Sequence, residues 1–592
     1  MRALALTLFL ISLPLSAAPN APQWVQRSNE NSRVLNSIFA KYNPEGAGAV
    51  GIDGHDAETV QLWPDRTNAT QADFKGAIVT FQQRLATEKD PAVRQDLEIL
   101  IGATKDAIEG NDLNRKYYLP YQDVAQAIFR GYQGLLDPQV PASRYPAALV
   151  RLRRYAGMEK GTTPITEQAT LLLRDRHKDP KLVGPFKDNL EQDIENSARF
   201  LGGVEELFQQ SGVKGYEEPL AALRKQFDAY NDFLRKEVMP RTTTDFRLPE
   251  AVYRYNLRTV GVDMPVEELV SRAKVSFREI QNEMQSVAAQ VAKQRNLPSS
   301  DYRDVMRELK KEQIVGEAVL PLYQRRLAEI EQKVRDTKVI SLPQREARIR
   351  IASEAEAAGT PAPHIKPPRL LGNTGEVAEF ILPLRIPSKD GKADVSFDDF
   401  TYDAASWTLT VHEARPGHEL QFDTMLEKGV SDTRALYAFN STNAEGWALY
   451  MEAEMKPQMP LEGQLVSLQH RLMRAARAIL DPSLQLGWVN RDAAYRMLQH
   501  DVVLSPAMAQ QEVERYTFRA PGQATSYFCG YTRLMEMRTD AERLLGDQFD
   551  RQAYHDFILS QGLLPPALLR KAVMEDFVKA KSSATAATAA AH

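Results

Sequence analysis

The sequence predicts a mainly α protein: a large, two-lobed helical assembly with a central cleft and a small β-sheet near the helix that carries most of its chemistry. Three observations predict it. Long stretches repeat apolar residues with a period near 3.6, separated by short polar turns, with no low-complexity linker and no fixed-period repeat. One proline-rich passage, residues 359–411, breaks that texture and holds a strand-like run. Composition agrees, since 43% hydrophobic and 26% charged residues are ordinary for a globular chain.

In chain order, residues 1–18 have the form of a signal peptide. Arg2 supplies the charge, Ala3 to Leu15 the apolar core, and Ser16-Ala17-Ala18 a small-residue cleavage site. The apolar run is too short to span a bilayer, so the expectation is export to the periplasm without stable membrane insertion. The one cysteine, Cys529, rules out an intramolecular disulfide, and no cysteine follows the leader to carry a lipid. A formal net charge of −4 with mixed signs and no long basic run sets nucleic acid and anionic membrane aside as partners.

Residues 19–578 are expected to form a single helical domain, with a disordered tail at 579–592. The helical patterns run Asp73 to Lys89, Pro91 to Glu109, Val124 to Gln133, Leu190 to Gln210, Glu217 to Glu237, Val266 to Asn296, Tyr302 to Lys311, Ile314 to Thr337 and Pro343 to Ala358. Then Gly359 to Pro368 is too rich in proline for helix, and His364 within it is expected to be exposed. Glu379 to Ile386 reads as a strand, with Pro383 suggesting a sheet edge. Such an edge either pairs with a peptide backbone or belongs to a purely structural sheet.

Helices resume at Asp403 and reach the string Thr410-Val411-His412-Glu413-Ala414-Arg415-Pro416-Gly417-His418-Glu419-Leu420-Gln421. The chain has nine histidines, and two fall here within seven positions. On a regular helix, residues six apart are separated by roughly 120° around the axis and ~9 Å along it, too far to grip one ion. Pro416 cannot bond the carbonyl of residue 412, and Gly417 tolerates angles a helix forbids. The expectation is therefore a helix broken at residues 415–417, with His412 and His418 swung round one metal. Catalytic zinc commonly takes three protein ligands, and Glu445, in a second helix that Asn443 would cap, is the third candidate. Glu452, seven positions on, is a candidate to orient one of the histidines.

Three stretches resemble the bacterial family known as domain of unknown function 885. They are His412-Glu413-x-x-Pro416-Gly417-His418-x-Leu420-Gln421, Glu445-Gly446-Trp447-Ala448-Leu449-Tyr450, and Pro521-Gly522-Gln523-Ala524-x-Ser526-Tyr527-x-x-Gly530. The resemblance runs from about residue 30 to 580. It implies an exported, mostly helical candidate zinc metallopeptidase with a metallopeptidase-like fold, distantly similar to thimet-type oligopeptidases. One position departs from the family: Gln485 stands where a histidine is usual, and an amide cannot carry a proton.

Gly463 to Leu480 is read as a helix whose His470, Arg471, Arg474 and Arg477 share one face, either solvated or paired with acids. His500 and His555 are read as packing or surface residues. Arg519-Ala520-Pro521-Gly522 breaks the chain before a helix from Gln523 to Arg538. Tyr527, and Tyr531 after it, resemble the thimet-type phenols that stabilise an oxyanion, although both rings also suit a core. Arg519 and Arg538 are candidates to clamp a substrate carboxylate. Cys529 is expected to be buried filler.

These residues point to a zinc-dependent metallopeptidase acting on peptides, with one Zn2+ held by His412, His418 and Glu445, Glu413 as general base, and Tyr527 or Tyr531 as oxyanion donor. The alternatives are a zinc hydrolase of another class, such as an esterase or amidase on envelope material, and a non-catalytic exported binding protein.

Overall fold

Local sequence sets where the helices begin. Asp90 accepts hydrogen bonds from the N–H groups of Ala92 and Val93, and Pro91 follows at the first helical position, where a missing N–H is harmless. The helix so started runs to Tyr117, two turns past the expected end. Asp123, Asp301, Asn490, Ser505 and Asp550 cap later helices in the same way. The computed structural model describes residues 22–384 and 398–582. The expected leader and residues 583–592 of the expected tail lie outside the described residues, and the backbone is still helical at 579–582.

The protein is mainly α-helical with one small sheet. Helices stand where the long patterns place them, among them Arg66–Thr87, Lys187–Ser211, Val266–Arg295 and Val319–Thr337. Pattern alone missed others, including Gln23–Tyr42, Ile165–His177 and Glu250–Thr259.

Three expectations are corrected. Pro343 to Ala358 is not one helix. It holds strand β1, Arg348–Ile351, followed by the short helix Glu354–Gly359, which Ser353 and Glu356 start with a reciprocal capping box. The alternation Arg348-Ile349-Arg350-Ile351 has the period of a strand. The second correction concerns the edge. Strand β2 is His364–Lys366 and β3 is Glu379–Leu382, and the sheet order is β1-β3-β2. Strand β3 is therefore central, parallel to β1 and antiparallel to β2, with all four residues buried. Pro383 falls just past its end, where no ladder N–H is required. With both sides occupied, β3 has no free edge for a peptide. His364 is half-buried in β2, not exposed.

The Leu461–Gln485 helix is buried along nearly its whole length and packs along Val266–Arg295. Leu465, Leu468, Leu472 and Ile479 join Phe277, Met284 and Val291 in one apolar cluster. A second cluster, with Trp407, Val411, Leu420, Trp447, Tyr450 and Met537, lies against the histidine-bearing helices and fixes their backbones. Among the described residues no helix is long and apolar enough to cross a membrane.

Candidate metal centre

The helix Asp403–Glu413 ends at the predicted break, and the helix His418–Lys428 restarts at the second histidine. At the turn between them the chain doubles back closely. A Cβ on Gly417 would lie 2.0 Å from the His412 carbonyl oxygen, so only glycine fits. The Trp447 indole donates to the Pro416 carbonyl at 3.1 Å, and Arg415 donates twice to Glu419, at 2.6 and 2.8 Å, and once to Glu331 at 2.6 Å. Held in this way, the His412 and His418 rings sit 4.8 Å apart between centroids with planes 85° apart.

Glu445 arrives from the helix Ser441–Met455. Its cap is Asn440, which accepts from the Asn443 N–H, so Asn443 is inside the first turn and not the cap expected. Asn443 instead accepts from Gln421 at 2.9 Å, tying the two helices together. Glu445 Oε2 lies 3.2 Å from His418 Nε2 and 3.5 Å from His412 Nε2. One ligand atom from each of His412, His418 and Glu445 lies within 4.8 Å of the others, the one such cluster of three among the described residues. The two rings are nearly sealed, at 2% and 6% side-chain exposure, whereas Glu445 is 18% exposed, so solvent reaches the group from the Glu445 side.

Burial opposes the charge on Glu445, but the His412 and His418 rings outweigh it and hold the carboxyl well below its ordinary range. Behind His412, Nδ1 donates to Glu452 Oε1 at 2.7 Å, and Thr408 donates to the other oxygen at 2.6 Å. Burial likewise opposes charge on Glu452, yet Arg474 and then His412 bring it down to about 2. With Nδ1 bonded to Glu452, His412 directs Nε2 toward Glu445 and His418. The His418 Nδ1 is buried without a partner among the described residues. Two imidazole nitrogens and one carboxylate oxygen are a donor set that suits zinc.

Glu413, next to His412, is buried, and burial pushes its carboxyl up to about 8, with Glu445 adding to the rise and His418 opposing it. Tyr527 lies nearly parallel to the His412 ring, 6.2 Å between centroids and 13° between planes. It is brought there by a helix crossing without side chains. A Cβ on Gly530 would lie 2.0 Å from the Thr442 carbonyl oxygen, and one on Gly446 would lie 2.6 Å from Gly530 Cα. The backbones of Ser441–Met455 and Ser526–Leu545 therefore touch, one turn from Glu445 and Tyr527.

Three arginines surround that phenol, their guanidinium carbons 4.4 Å (Arg477), 5.3 Å (Arg515) and 5.7 Å (Arg474) from its ring centre. Nothing local in the sequence connects them with Tyr527. Arg474 and Arg477 are buried and paired, with Glu452 at 3.5 Å and bidentately with Glu512 at 2.7 and 2.8 Å. Their shared helix face was visible in the sequence, but the acids that close over it come from other elements. Arg515 had no local signal at all.

The remaining candidates fall elsewhere. Tyr531 is one turn past Tyr527, half-buried on a surface groove under Arg471, 5.3 Å from its ring. Arg519 is tied to Glu514 at 2.9 Å and Gln192 at 2.7 Å. Arg538 is engaged by Glu454, Glu542 and the Tyr450 hydroxyl. Both guanidinium groups expected to clamp a substrate carboxylate are thus engaged by partners within the chain. His470 stands 3.8 Å from Glu452, outside the ligand group, and burial depresses it to about 3. His555 is bonded to Tyr450 and the Val339 carbonyl, and His500 is exposed beside Asp501. Cys529 is buried, its thiol pushed up to about 12 by that burial. Gln485 accepts from the Leu248 N–H at 2.9 Å and donates to the Tyr516 carbonyl at 2.8 Å, so it staples three segments of backbone.

The family model described as bacterial protein of unknown function (DUF885) matches residues 44–573. Among solved structures, the chain is similar to a candidate lipoprotein from Colwellia psychrerythraea, with a TM-score of 0.75 at 16% identity over 94% of this chain and 99% of that one. It is also similar to a candidate lipoprotein of unknown function from Shewanella oneidensis, with a TM-score of 0.68 at 17% identity over 94% and 100%. At such identities the likeness is one of fold. No curated protein matches the chain.

Proposed function

We propose that this chain, which belongs to the bacterial family DUF885, is an exported zinc-dependent metallopeptidase that hydrolyses peptides or oligopeptides. One observation carries the reading: His412 Nε2, His418 Nε2 and Glu445 Oε2 converge, with the buried Glu413 carboxyl beside them. A purely structural ion has no use for an adjacent buried carboxyl, whereas hydrolysis requires a proton carrier there.

His412, His418 and Glu445 would hold one zinc ion. When bound, the ion supplies a Lewis acid that polarises a carbonyl and acidifies a water. Glu413 takes the proton from the attacking water and delivers it to the leaving amine nitrogen. Tyr527 donates its O–H to the carbonyl oxygen as negative charge builds there, a donor worth about 10²–10³ in rate at comparable sites. Tyr531, a turn further along, is the weaker candidate for that role. Glu452 keeps His412 in the tautomer that offers Nε2.

Export rests on the leader-like residues 1–18 and accords with the fold neighbours, which are described as candidate lipoproteins. The one cysteine of this chain is the buried Cys529, so an acylated cysteine is not part of the proposal.

The test is metal analysis of the purified protein, with peptide-library and ester substrates given to the wild type and to Glu413→Gln. One zinc per chain and peptide cleavage that falls about 10²-fold or more in the variant, with zinc retained, supports the reading. Turnover unchanged in the variant, or no bound metal, overturns it. Cleavage of esters without peptides points to the other class of zinc hydrolase.

A further inference from the structure

We infer that Arg515 is a positioning residue for Tyr527, holding the phenol so that its O–H is directed at the substrate carbonyl oxygen. The inference rests on the hydrolase reading above. Arg515 Nη2 donates to Tyr527 Oη at 3.0 Å. A guanidinium carries five N–H groups and no acceptor, so the phenol hydrogen cannot point back at it and must be given elsewhere. The ring itself is fixed face to face with His412, a proposed metal ligand, which restricts where the O–H can go.

Arg515 is itself held. Its Nε donates to Gln523 Oε1 at 3.0 Å, and Gln523 Nε2 donates to Ser441 Oγ at 2.8 Å. Ser441 begins the helix that carries Glu445. One chain of hydrogen bonds thus runs from the Glu445 helix through Gln523 and Arg515 to the phenol, fixing its position relative to the ligand group. On the ring face, Arg477 is locked by Glu512, which also accepts from the Tyr516 hydroxyl at 2.6 Å. A phenol that accepts from a cation is a stronger donor, because successive hydrogen bonds polarise one another. The arrangement is in place before substrate arrives, so little reorganisation is needed as charge develops.

A merely structural arginine would make many of the same contacts, so the test is a double-mutant cycle in the full-length mature protein. The variants are Arg515→Met, Tyr527→Phe and the pair, with Arg515→Lys and Gln523→Leu as milder ones. The readouts are kcat and KM on one peptide, zinc content, thermal unfolding, and calorimetric affinity for a phosphonate peptide that mimics the tetrahedral state.

If Arg515 acts through Tyr527, Arg515→Met lowers kcat about tenfold or more, with KM and zinc content nearly unchanged. The same change made on top of Tyr527→Phe costs less than about twofold. Phosphonate affinity falls with kcat, and Gln523→Leu shows part of the same loss. An equal loss of kcat with and without Tyr527, or no loss at all, overturns the inference. A wild type that holds zinc but cleaves no peptide sinks the hydrolase reading first and this inference with it.

Discussion

His412 Nδ1 meets Glu452 Oε1 at 2.7 Å, two helical turns beyond Glu445 on the same helix. One helix therefore presents both the candidate carboxylate ligand and the carboxylate that orients a candidate imidazole ligand. Glu452→Gln keeps an acceptor for the ring but removes the charge. Zinc affinity is expected to weaken about 10–100-fold, measured by competition with a chelator. An affinity unchanged within error would show that the ring is oriented by packing alone.

Glu413 gives a pH signature in the metal-free protein. Its folded carboxyl is raised to about 8 from an ordinary value near 4.5 by burial. A group raised in this way contributes stability that is fully present below its unfolded value and is lost as pH rises through the folded one. Metal-free wild type should thus lose more thermal stability between pH 5 and pH 8.5 than metal-free Glu413→Gln, by a few degrees in Tm. Glu419, also raised to about 8, contributes to both proteins and cancels in the difference. Identical slopes in the two proteins would refute the assignment.

The bare crossing at Gly446 and Gly530 is a third handle. Alanine at 530 must displace the Thr442 carbonyl, which its Cβ would otherwise meet at 2.0 Å. Gly530→Ala should lower stability by about 1–3 kcal/mol, as overpacking does, and lower kcat as well because Tyr527 shifts with the helix. Gly202→Ala is the control, since a Cβ there meets nothing within 4 Å and the site is mid-helix. That change should leave stability equal or higher.

Gln485 separates stability from chemistry. Its amide bonds go to the backbone at Leu248, Tyr516 and Thr517. Gln485→Ala orphans buried groups and should cost about 1–3 kcal/mol in chemical denaturation. Zinc content and kcat should stay near wild type below the unfolding range. A loss of kcat at full folding would mean that this position takes part in turnover.

Local sequence carried much of this. The break at residues 415–417 follows from Pro416 and Gly417, because a missing N–H and a missing Cβ act on their own few neighbours. A period of 3.6 marks a long helix from within, so Val266–Arg295 stood out. Short elements carry too few repeats for that, and the four-residue β1 does not stand out from the helical pattern around it. Nothing inside Glu379–Leu382 says whether partners lie on one side or two, so its central place is not legible in the sequence.

What the sequence determined alone was a mainly helical chain and the trio His412, His418 and Glu445, since spacing and residue type are local properties. Only the tertiary structure decided that Tyr527 and not Tyr531 faces His412. It alone decided that Arg474, Arg477 and Arg515 and not Arg519 or Arg538 gather round that phenol. The physical reason is that a charge or a ring takes its role from what packs against it. Those partners, such as Glu512 for Arg477, 35 residues away, come from elements brought together only when the core closes.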